Sequence, residues 1–373
     1  MKRLLLLGGG HAHLQVLKSL AGATLREVDV ILVSPFARQV YSGMLPGWVA
    51  GHYVIDQCVV PFAPLCKAAK ATFMETSAEH VDFSRRVVRC ANGTDVSFDA
   101  LSVDTGPIAN TSVIAGATEH ATSVRPIETF IDAYTQMAID VAARAAAEKE
   151  TDIVFVGAGA AGVELALSMQ HVFRDQRAAF TLISAANTLP GSVGPRLLRI
   201  MGERGFRLLT GKAAEEIEAG QVTLQSGEVI CANHIVVSTG AGAALWPQAS
   251  GLETDDQGFI LVNDHLQSIS HPEVFAAGDC ATMVNHPRPK SGVYAVRAGP
   301  PLAENLRRYL QGAQLLPYVP QERSLYLIST GDRYAIGSWG RFAWEGKWVW
   351  TWKDWIDRRF VGKYLPPGSQ AKN

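Results

Sequence analysis

Two glycine-rich segments are the residues in this sequence whose types and spacing most directly indicate chemistry. The first is Gly8-Gly9-Gly10, and the second, residues 157–162, reads Gly-Ala-Gly-Ala-Ala-Gly. Glycine permits a tight turn and lets the backbone approach a bound pyrophosphate, whose negative charge is stabilised by free N–H groups at the start of a helix. Each segment therefore predicts one nucleotide site, and the chain predicts two.

The two segments differ in completeness. The second is a full G-x-G-x-x-G motif with Glu164 two residues beyond it, whereas in the first His13 stands where the third glycine would be. A glycine-rich packing turn is the alternative interpretation for either segment. In the first, His11 and His13 are also compatible with turn and helix-surface positions, so the motif alone leaves its role open.

The residue after the second strand of a dinucleotide-binding unit bears on which cofactor is bound. An acidic side chain there usually accepts a hydrogen bond from a ribose hydroxyl. In this sequence the two positions are Ser34 and Ser184, and a serine accepts such a bond more weakly. No arginine directly follows Ser184 to bind a 2′-phosphate, so the sequence favours NADH over NADPH.

Each glycine segment lies between an apolar strand and a helix, as nucleotide binding requires. Strand, loop, helix and strand occupy about residues 3–33 and again 153–184, and a hairpin, a strand and a Thr-Gly pair follow in both places. Internal duplication of a nucleotide-binding domain explains this order. Residues 41–53, rich in glycine, predict an irregular wall of a site. A third block predicts a strand within 272–281 and a long helix over 292–310.

Composition and charge are those of an ordinary globular protein. The 373 residues are 47% hydrophobic, and 34 Lys and Arg against 35 Asp and Glu give a net charge of −1, which excludes a global field that would recruit nucleic acid. The apolar residues 4–7 are followed by glycines and predict a strand rather than a signal peptide, and no stretch approaches the ~18 apolar residues of a membrane span. The five cysteines show neither C-x-x-C nor C-x4-C spacing, which indicates a reducing cytoplasm.

Three further motifs extend the pattern along the chain. Thr105-Gly106 and Thr239-Gly240 end corresponding strands, and residues 274–280 read Val-Phe-Ala-Ala-Gly-Asp-Cys. This order resembles the two-dinucleotide-binding-domain flavoproteins of the pyridine nucleotide-disulfide oxidoreductase superfamily over essentially the whole chain. The resemblance implies an α/β fold of two Rossmann-like three-layer (ββα/α) domains. It also implies FAD at the first loop, NAD(P)H at the second, and an Asp279 carboxylate that accepts a hydrogen bond from the ribityl chain of the flavin.

A narrower resemblance rests on four segments, which are GGGHAH at 8–13, YSGMLPG at 41–47, PKSGV at 289–293 and TGDRY at 330–334. Together they are similar to the type II NADH dehydrogenase-like proteins that some organisms fuse ahead of a selenophosphate synthase domain. In that group histidine is normal at the third-glycine position, which supports a nucleotide role for the first loop. No synthase domain follows in this sequence, so we expect a free-standing version, and its link to selenium stays open.

The thiol chemistry of parts of this superfamily has no evident counterpart here. Disulfide reductases carry a cysteine pair beside the flavin, which this sequence lacks, and members without thiol chemistry also carry cysteine at the position of Cys280. The segment 289–292 resembles the flavin-proximal loop of sulfide:quinone oxidoreductases. Their catalytic cysteines have no counterparts here, however, and their second nucleotide loop is usually degraded, whereas the loop at 157–162 is intact.

The resemblance gives roles to individual side chains. Lys290, just before the predicted helix, would place an ammonium near the pyrimidine edge of the flavin, unless it is a solvated surface lysine. Glu164 resembles the family glutamate near the nicotinamide, although an acidic residue is also ordinary at a helix start. These two are the catalytic candidates. The cofactor-binding candidates are Gly8, Gly10, His11, Ala12, Ser34, Pro46, Thr105, Gly106, Gly157, Gly159, Gly162, Ser184, Gly240, Gly278 and Asp279, and no metal ligand is expected.

The expected domain division is discontinuous. An FAD-binding domain would comprise residues 1–112 and 251–318, with an NAD(P)H-binding domain at 113–250 inserted between them. A short tryptophan-rich cap would follow at 319–373 and carry six of the eight tryptophans.

A helix over 348–360 in this cap would have an apolar face with basic neighbours. The face comprises Trp348, Trp352, Trp355, Ile356 and Phe360, and the neighbours are Lys353, Arg358 and Arg359. Such a face is typical of a helix that docks at a membrane interface, as type II NADH dehydrogenases do to reach quinone, and equally of a lid over the flavin or a dimer contact. We therefore expect a cytoplasmic protein and leave open its oligomeric state and a peripheral contact with the inner face of the plasma membrane.

The expected reaction is hydride transfer from NAD(P)H to N5 of FAD, followed by electron transfer to a small-molecule acceptor, for which a quinone is the first candidate. The cofactors carry this chemistry, and the protein supplies alignment and electrostatics. Two alternatives stay open. One is a sulfide- or selenium-handling flavoprotein, which needs an exposed reactive thiol, and the other is a non-enzymatic flavin-bound sensor or interaction module.

Overall fold

The computed structural model describes residues 1–23, 25–189 and 191–366. In these ranges the strands are β1 (Lys2–Leu7), β2 (Val28–Ser34), β3 (Arg38–Val40), β4 (Val59–Pro61), β5 (Thr72–Glu75), β6 (Ala78–Asp82), β7 (Val87–Cys90), β8 (Asp95–Ser97), β9 (Ala100–Val103), β10 (Ile108–Ala109), β11 (Thr122–Ser123), β12 (Thr151–Val156), β13 (Ala178–Ser184), β14 (Arg207–Thr210), β15 (Ala214–Glu218), β16 (Gln221–Leu224), β17 (Val229–Cys231), β18 (His234–Val237), β19 (Ala241–Gly242), β20 (Ile260–Val262), β21 (Val274–Ala276), β22 (Ala281–Met283), β23 (Leu325–Ser329), β24 (Ala335–Trp339) and β25 (Phe342–Gly346).

The α-helices of the same ranges are α1 (His11–Gly22), α2 (Leu45–Val49), α3 (Phe62–Ala69), α4 (Ala117–His120), α5 (Ile127–Ala146), α6 (Ala160–Phe173), α7 (Gly194–Glu203), α8 (Trp246–Ala249), α9 (Gly292–Leu310) and α10 (Lys347–Gly362). Short 3-10 helices lie at Ile55–Cys58, Thr111–Val113, Gly191–Val193 and Gly278–Cys280. None of these described helices combines the length and apolar character that a membrane span requires.

Two five-stranded parallel sheets form the framework of the described chain. The first has the strand order β21-β9-β1-β2-β5 and the second the order β11-β18-β12-β13-β14. Their central strands are unbroken apolar runs, Leu4–Leu7 in β1 and Ile153–Val156 in β12, because a parallel sheet of this kind is covered on both faces. In both, a crossover helix joins the central strand to its neighbour, α1 in the first sheet and α6 in the second. The predicted α/β fold of two Rossmann-like units is confirmed.

Each unit also carries a three-stranded antiparallel sheet, β6-β7-β8 in the first and β15-β16-β17 in the second. The sequence predicted only the hairpin formed by the last two strands of each. The missed strands contain a single fully buried apolar side chain each, Val81 in β6 and Ile217 in β15, and an irregularity interrupts the register of both. A two-residue alternation is therefore too short in these strands to stand out from a loop.

Residues 41–53 are not wholly irregular, which corrects the expectation for this segment. Helix α2 forms at Leu45–Val49, with Pro46 in its first turn, where a backbone N–H has no partner to lose. Gly47 lies against the ring of Tyr53, because a Cβ on Gly47 would be 2.3 Å from Cε2 of that ring. Close packing, and not an apolar period in the sequence, therefore positions this short helix.

The C-terminal part first completes the first sheet and then forms a separate layer. Strand β21 pairs with β9, and α9 packs on α1. Strands β23, β24 and β25 form an antiparallel sheet, and α10 lies against it and against the 3-10 helix Ile55–Cys58. The division of the chain into residues 1–112 with 251–318, 113–250 and 319–373 stays a prediction.

Candidate nucleotide and redox site

The first glycine segment is a tight turn between β1 and α1. Gly8 has a φ of +88°, and a Cβ there would lie 2.5 Å from the carbonyl oxygen of Asp104. A Cβ on Gly9 would lie 2.0 Å from Cζ of Phe62. The N–H of Gly10 donates to the same Asp104 carbonyl at 3.0 Å, and α1 begins at the next residue. The turn is therefore pressed against the end of β9, which only glycine allows.

His13 replaces the third glycine and is fully buried. Its Nδ1 lies 2.6 Å from the carbonyl oxygen of Gly8, and its Nε2 lies 2.8 Å from Oγ of Ser102. Burial lowers the pKa of His13 to about 4, so the ring is neutral at pH 7. The imidazole thus links the glycine turn to β9, and the interpretation of His13 as a helix-surface residue is wrong.

Asp104, which no sequence motif marked, directly follows β9, contacts this turn and is 2% exposed. Its Oδ2 accepts a hydrogen bond from the N–H of His13 at 2.9 Å, and the carboxyl also receives the N–H of Ala12. A Cβ on Gly10 or Gly278 would come within 2.3 Å or 2.6 Å of this carboxyl. Burial raises the pKa of Asp104 to about 7. The available signal was an acidic residue directly before the Thr-Gly pair.

Asp279 lies in the 3-10 helix that follows β21, at the same edge of the first sheet. It is buried, and its Oδ2 is 3.7 Å from Nη1 of Arg125, a partner that the sequence did not indicate. Burial raises the pKa of Asp279, and the positive charge of Arg125 opposes that shift. Asp279 therefore retains acceptor oxygens beside the glycine turn, as a hydroxyl-bearing ligand would require.

The other predicted residues of the first site fall into two groups. Ser34 ends β2, and Thr105 and Gly106 follow Asp104 just beyond β9, so these three lie at the carboxyl edge of the sheet with Gly8. Pro46 lies in α2, which packs against α6 of the second unit. The structure thus places Pro46 where the two units meet and not at the strand ends.

Lys290 is held beside β22. Its Nζ donates to the carbonyl oxygen of Ala281 at 2.5 Å and to Oγ1 of Thr282 at 2.7 Å, and it lies 4.0 Å from the ring centre of Phe259. Burial lowers the pKa of Lys290. A cavity of about 50 Å³ lies beside it and is also lined by Asp279. Lys290 is thus not a freely solvated lysine, and its role beside the flavin stays a prediction.

The second glycine segment has the same construction as the first. Gly157 has a φ of +109°, and a Cβ there would lie 2.4 Å from the carbonyl oxygen of Ser238. A Cβ on Gly162 would lie 2.5 Å from the carbonyl oxygen of Gly157. Around Gly159, by contrast, a Cβ would meet nothing within 4 Å. The first and third glycines are needed for packing, and the middle one borders open space at the start of α6.

The predicted site residues at the ends of β13 and β18 leave the space beside Gly159 accessible. Ser184 ends β13, is buried, and donates its hydroxyl to the carbonyl oxygen of Ala186 at 3.1 Å, so its oxygen is left as an acceptor. Gly240 follows β18, and a Cβ there would also meet nothing within 4 Å. The carboxyl edge of the second sheet is therefore open where a dinucleotide would lie.

Glu164 lies on α6 and points towards the C-terminal layer. Its Oε1 accepts the N–H of Ser329 at 2.8 Å and is 3.7 Å from Nζ of Lys353. Burial raises the pKa of Glu164 to about 7, although the charge of Lys353 opposes this shift. The group can hold a proton at neutral pH, which an ordinary glutamate at an exposed helix start cannot.

Lys353 is buried, which corrects the expectation that it is one of the basic residues beside the apolar face of a docking helix. Its Nζ donates to the carbonyl oxygen of Gly43 at 2.6 Å and to Oδ2 of Asp357 at 2.7 Å. Burial alone would lower the pKa of Lys353, but the carboxylates of Asp357 and Glu164 raise it above its ordinary range. These contacts fasten α10 to both nucleotide-binding units. No sequence motif marked the contacts of Lys353 with Gly43 and Glu164, since these two partners lie far from it along the chain.

Three aromatic rings close the first site from the side of α10. The ring of Phe360 stacks on Tyr41 with centroids 4.2 Å apart, and His11 lies 5.6 Å from each of them. Burial, and next the positive charge of Arg125, lower the pKa of His11 to about 4. Nε2 of His11 is buried without a hydrogen-bond partner in the described chain, and a Cβ on Gly292 would lie 4.0 Å from it. An orphaned ring nitrogen beside the glycine turn fits a polar cofactor such as FAD.

Trp348, Trp352 and Trp355 lie on a different side of α10 from Phe360, whereas the sequence predicted one shared face. Trp348, Trp352 and Trp355 are 59%, 37% and 56% exposed, whereas Phe360 turns inward onto Tyr41. The helix is thus apolar on two sides, because its inner side covers the first site. On this outer tryptophan face the rings of Trp348 and Trp352 stack on each other, and the guanidinium of Arg359 lies over the ring of Trp355.

The cysteines do not form a reactive group. All five are free, four of them are buried, and Cys231 is exposed. Burial raises the pKa of Cys58 and Cys280 to about 12 and that of Cys66 to about 11. The Cys280 thiol donates to the carbonyl oxygen of Ala277 at 3.2 Å. A thiolate, which is the nucleophilic form, is disfavoured at these buried positions.

Two sheets of the same order, each with a glycine turn at the carboxyl end of its central strand, are the arrangement expected of a protein with two dinucleotide sites. Residues 2–299 match the family described as pyridine nucleotide-disulphide oxidoreductase, and the chain belongs to that family. This membership agrees with the superfamily resemblance of the sequence.

Individual relatives are more distant. The chain is 29% identical over 218 residues to ferroptosis suppressor protein 1 of Xenopus tropicalis, a match that covers 52% of this chain and 56% of that protein, so it spans about half the length of that relative. It is 24% identical to a type II NADH:quinone oxidoreductase of Staphylococcus aureus over 90% of this chain and 89% of the relative. Among solved structures, the sulfide:quinone oxidoreductase of Aquifex aeolicus superposes with a TM-score of 0.82 at 17% identity, covering 98% of this chain and 91% of that one, which shows a shared fold.

Proposed function

We propose that the protein passes hydride from NADH to FAD and then delivers the electrons to a quinone. The observation that carries this proposal is the buried cluster of Glu164, Lys353, Asp357 and Tyr41, which joins the start of the second nucleotide helix to the wall of the first site. The names of two relatives, a type II NADH:quinone oxidoreductase and a sulfide:quinone oxidoreductase, support the choice of acceptor.

FAD would bind at the first turn, and when bound it supplies the redox chemistry. The turn at Gly8 and Gly10 would direct its pyrophosphate to the start of α1. Asp279 would accept from a ribityl hydroxyl, and the orphaned Nε2 of His11 would gain a partner. Lys290, immediately before α9, would stabilise negative charge at the pyrimidine edge together with the amino end of that helix.

NADH would bind at the second turn. Gly157 and Gly162 keep the turn close to β12 and β18, and the open space at Gly159 would receive the pyrophosphate. Ser184 would accept a hydrogen bond from a ribose hydroxyl. Glu164, on the first turns of α6, would then lie between this cofactor and the first site.

Proton balance gives the buried cluster its role. The overall reaction is NADH + H⁺ + quinone → NAD⁺ + quinol, in which hydride carries two electrons and one proton, so one further proton must reach the quinone. Glu164 can hold that proton because burial raises its pKa to about 7. Lys353 orients Glu164 and stabilises the carboxylate that remains after transfer.

The outer face of α10 would bring the enzyme to its lipid-soluble substrate. Trp348, Trp352 and Trp355 are exposed together, and Arg359 lies against the Trp355 ring. Tryptophans with adjacent arginines suit the membrane interface and anionic headgroups. We therefore propose a cytoplasmic protein that binds the membrane peripherally through α10.

A thiol-dependent reaction on sulfide or selenium has less support, because the cysteines whose pKa burial raises most are withdrawn from solvent. Alkylation of the native protein tests this alternative. The proposed function expects unchanged turnover with NADH and a quinone after treatment with iodoacetamide. A loss of turnover that parallels modification would favour sulfur chemistry.

Anaerobic stopped-flow mixing tests the main proposal. The yellow protein is mixed with NADH and then with a panel of quinones, and the oxidised-flavin absorbance is followed. We expect fast bleaching followed by fast return with a quinone. A colourless preparation, or no bleaching with NADH or NADPH, would contradict the proposal, and slow bleaching with a long-lived charge-transfer band would favour the sensor alternative.

Two valine variants serve as a matched pair in this experiment. Gly159→Val introduces a side chain into the open space at the start of α6 without an internal collision, so it should prevent bleaching by NADH while flavin stays bound. Gly202→Val, at a glycine on α7 that also has no neighbour within 4 Å, should behave like the wild type.

A further inference from the structure

The Asp104 carboxyl lies at the meeting point of three loops. It receives the N–H groups of Ala12 and His13 in the first turn of α1, and the glycines at 10 and 278 are needed because a Cβ on either would collide with it. It is 2% exposed and lies directly after β9. The amino end of α1 is therefore already occupied by an acidic side chain.

This position conflicts with an ionised pyrophosphate in the same place. The first turn of α1 is where the family fold puts the FAD pyrophosphate, and two negative groups that share one helix end in a buried site repel strongly. Removal of one charge resolves the conflict. A neutral carboxyl keeps one oxygen as an acceptor for the helix N–H groups and turns the other into an O–H donor, which suits a phosphate oxygen.

The groups that face Asp104 do not supply a neutralising cation. The titratable side chains of the first turn of α1 are His11 and His13, both with a pKa lowered to about 4 by burial and thus neutral at pH 7. From the segment after β21 the facing groups are Asp279 and the Cys280 thiol. The nearby cations Arg125 and Lys290 act on Asp279. Burial, and next the charge of Asp279, raise the pKa of Asp104 to about 7, so its protonated and ionised forms are both accessible near neutral pH.

We propose that Asp104 is a positioning residue of the FAD site, which binds the cofactor as a neutral carboxylic acid and donates its O–H towards the pyrophosphate. Binding of FAD to the ionised form then takes up one proton from solvent, which stays on Asp104 in the complex, and no covalent bond changes. This inference rests on FAD occupying the first site. It makes retention of the flavin dependent on pH in this chain.

The test is the dissociation constant of FAD, measured from the fluorescence of released flavin when the holoprotein is diluted between pH 6 and pH 9. Uptake of one proton predicts about a tenfold weaker affinity for each pH unit above the pKa of the free site. Asp104→Asn, which donates a hydrogen bond without titrating, should bind FAD with an affinity that does not change with pH. Asp82→Asn, at an exposed turn, is the matched control and should keep the wild-type slope.

Further measurements distinguish a failure of the role proposed for Asp104 from a failure of the proposed FAD site. Asp279→Asn should weaken FAD binding yet keep the same dependence of affinity on pH, since Asp104, the carboxyl that titrates, is still present. An infrared difference spectrum of wild-type holoprotein against apoprotein should show a new protonated-carboxyl band, and this needs no folded variant. A pH-independent wild-type affinity, the same slope in Asp104→Asn, or no such band would overturn the role of Asp104. A preparation that binds no FAD at any pH would overturn the FAD site itself.

Discussion

The ammonium of Lys353 lies 3.7 Å from the carboxylate of Glu164, across the junction between the last helix and the second nucleotide-binding unit. The same ammonium donates to Asp357 at 2.7 Å and to the backbone of Gly43 at 2.6 Å. A single buried cation thus contacts an acid from each of two helices and the wall of the first site. The C-terminal layer is therefore attached to both nucleotide-binding units through one side chain.

Removal of this cation should destabilise the protein strongly. Lys353→Met leaves Asp357 and Glu164 buried without their positive partner, for which we expect a loss of about 3–5 kcal/mol in the free energy of unfolding. Urea denaturation of the holoprotein, followed by flavin fluorescence, measures it. Lys347→Met, at an exposed position of the same helix, is the control and should change little. Equal stabilities of the two variants would show that the cluster contributes nothing to the attachment of α10.

Glu164 should make quinone reduction depend on pH. The carboxyl, whose pKa burial raises to about 7, is protonated below that pH and loses its proton above it, so the fraction able to donate falls as pH rises. We expect the rate of flavin reoxidation by quinone to fall about tenfold per pH unit above this pKa, with flavin reduction by NADH much less affected. Stopped-flow measurement of the two half-reactions from pH 6 to pH 9 separates them.

The variant Glu164→Gln keeps an oxygen for the N–H of Ser329 but cannot supply a proton. Reoxidation should be slowed by about 10²-fold or more and become independent of pH. Glu119→Gln, at an exposed acid on α4, should retain the wild-type profile. An unchanged pH profile in Glu164→Gln would mean that another group donates the proton.

NADH should be preferred over NADPH, and Ser184 is the place to alter that preference. The Ser184 oxygen can accept from a ribose hydroxyl, and no arginine directly follows it to pair with a 2′-phosphate. Ser184→Asp should widen the ratio of kcat/KM for NADH over NADPH by about tenfold, which corresponds to ~1.4 kcal/mol of repulsion from the phosphate. Ser226→Asp, in an exposed turn, should leave the ratio unchanged. A higher kcat/KM with NADPH in the wild type would refute the preference.

The sequence predicts those features of the structure whose residues lie close together along the chain. The turns at Gly8 and Gly157 and the helices after them follow from short motifs, because a strand, a glycine turn and a helix start are adjacent in the chain. The same holds for α9, whose bounds at Gly292–Leu310 agree with the sequence prediction. The parallel sheets follow from two such units with the same order.

The polar contacts of the site are different, because they join distant parts of the chain. Asp104 and the His13 N–H are separated by 91 residues, and Lys353 and Gly43 by 310. No periodicity relates such positions, so Lys353 is expected at the surface from its charge alone and is instead buried by its partners. The predicted orientation of Phe360, on one face with the tryptophans, is wrong for the same reason, since only the fold places Tyr41 beneath its ring.

The exposed tryptophans of α10 should bind anionic lipid vesicles. Holoprotein is centrifuged through a density gradient with vesicles that contain phosphatidylglycerol. We expect it to float with them, more weakly at high salt because Arg359, which lies over the Trp355 ring, contributes about 1 kcal/mol near an anionic surface. The triple change of Trp348, Trp352 and Trp355 to Gln should reduce binding by about tenfold or more, since these rings supply the apolar area. Turnover with a water-soluble quinone should persist, because the three side chains point away from the flavin side of the helix.

The control for this experiment is an exposed apolar side chain elsewhere. Leu245 is 82% exposed and lies in the second unit, so Leu245→Ser should float like the wild type if the tryptophan face is the docking surface. A wild-type protein that does not float, but whose dimer in solution dissociates in the triple variant, would identify the face as a contact between two copies of the chain. The two outcomes differ physically, because a dimer would shield the face from lipid and leave the enzyme without direct access to a membrane quinone.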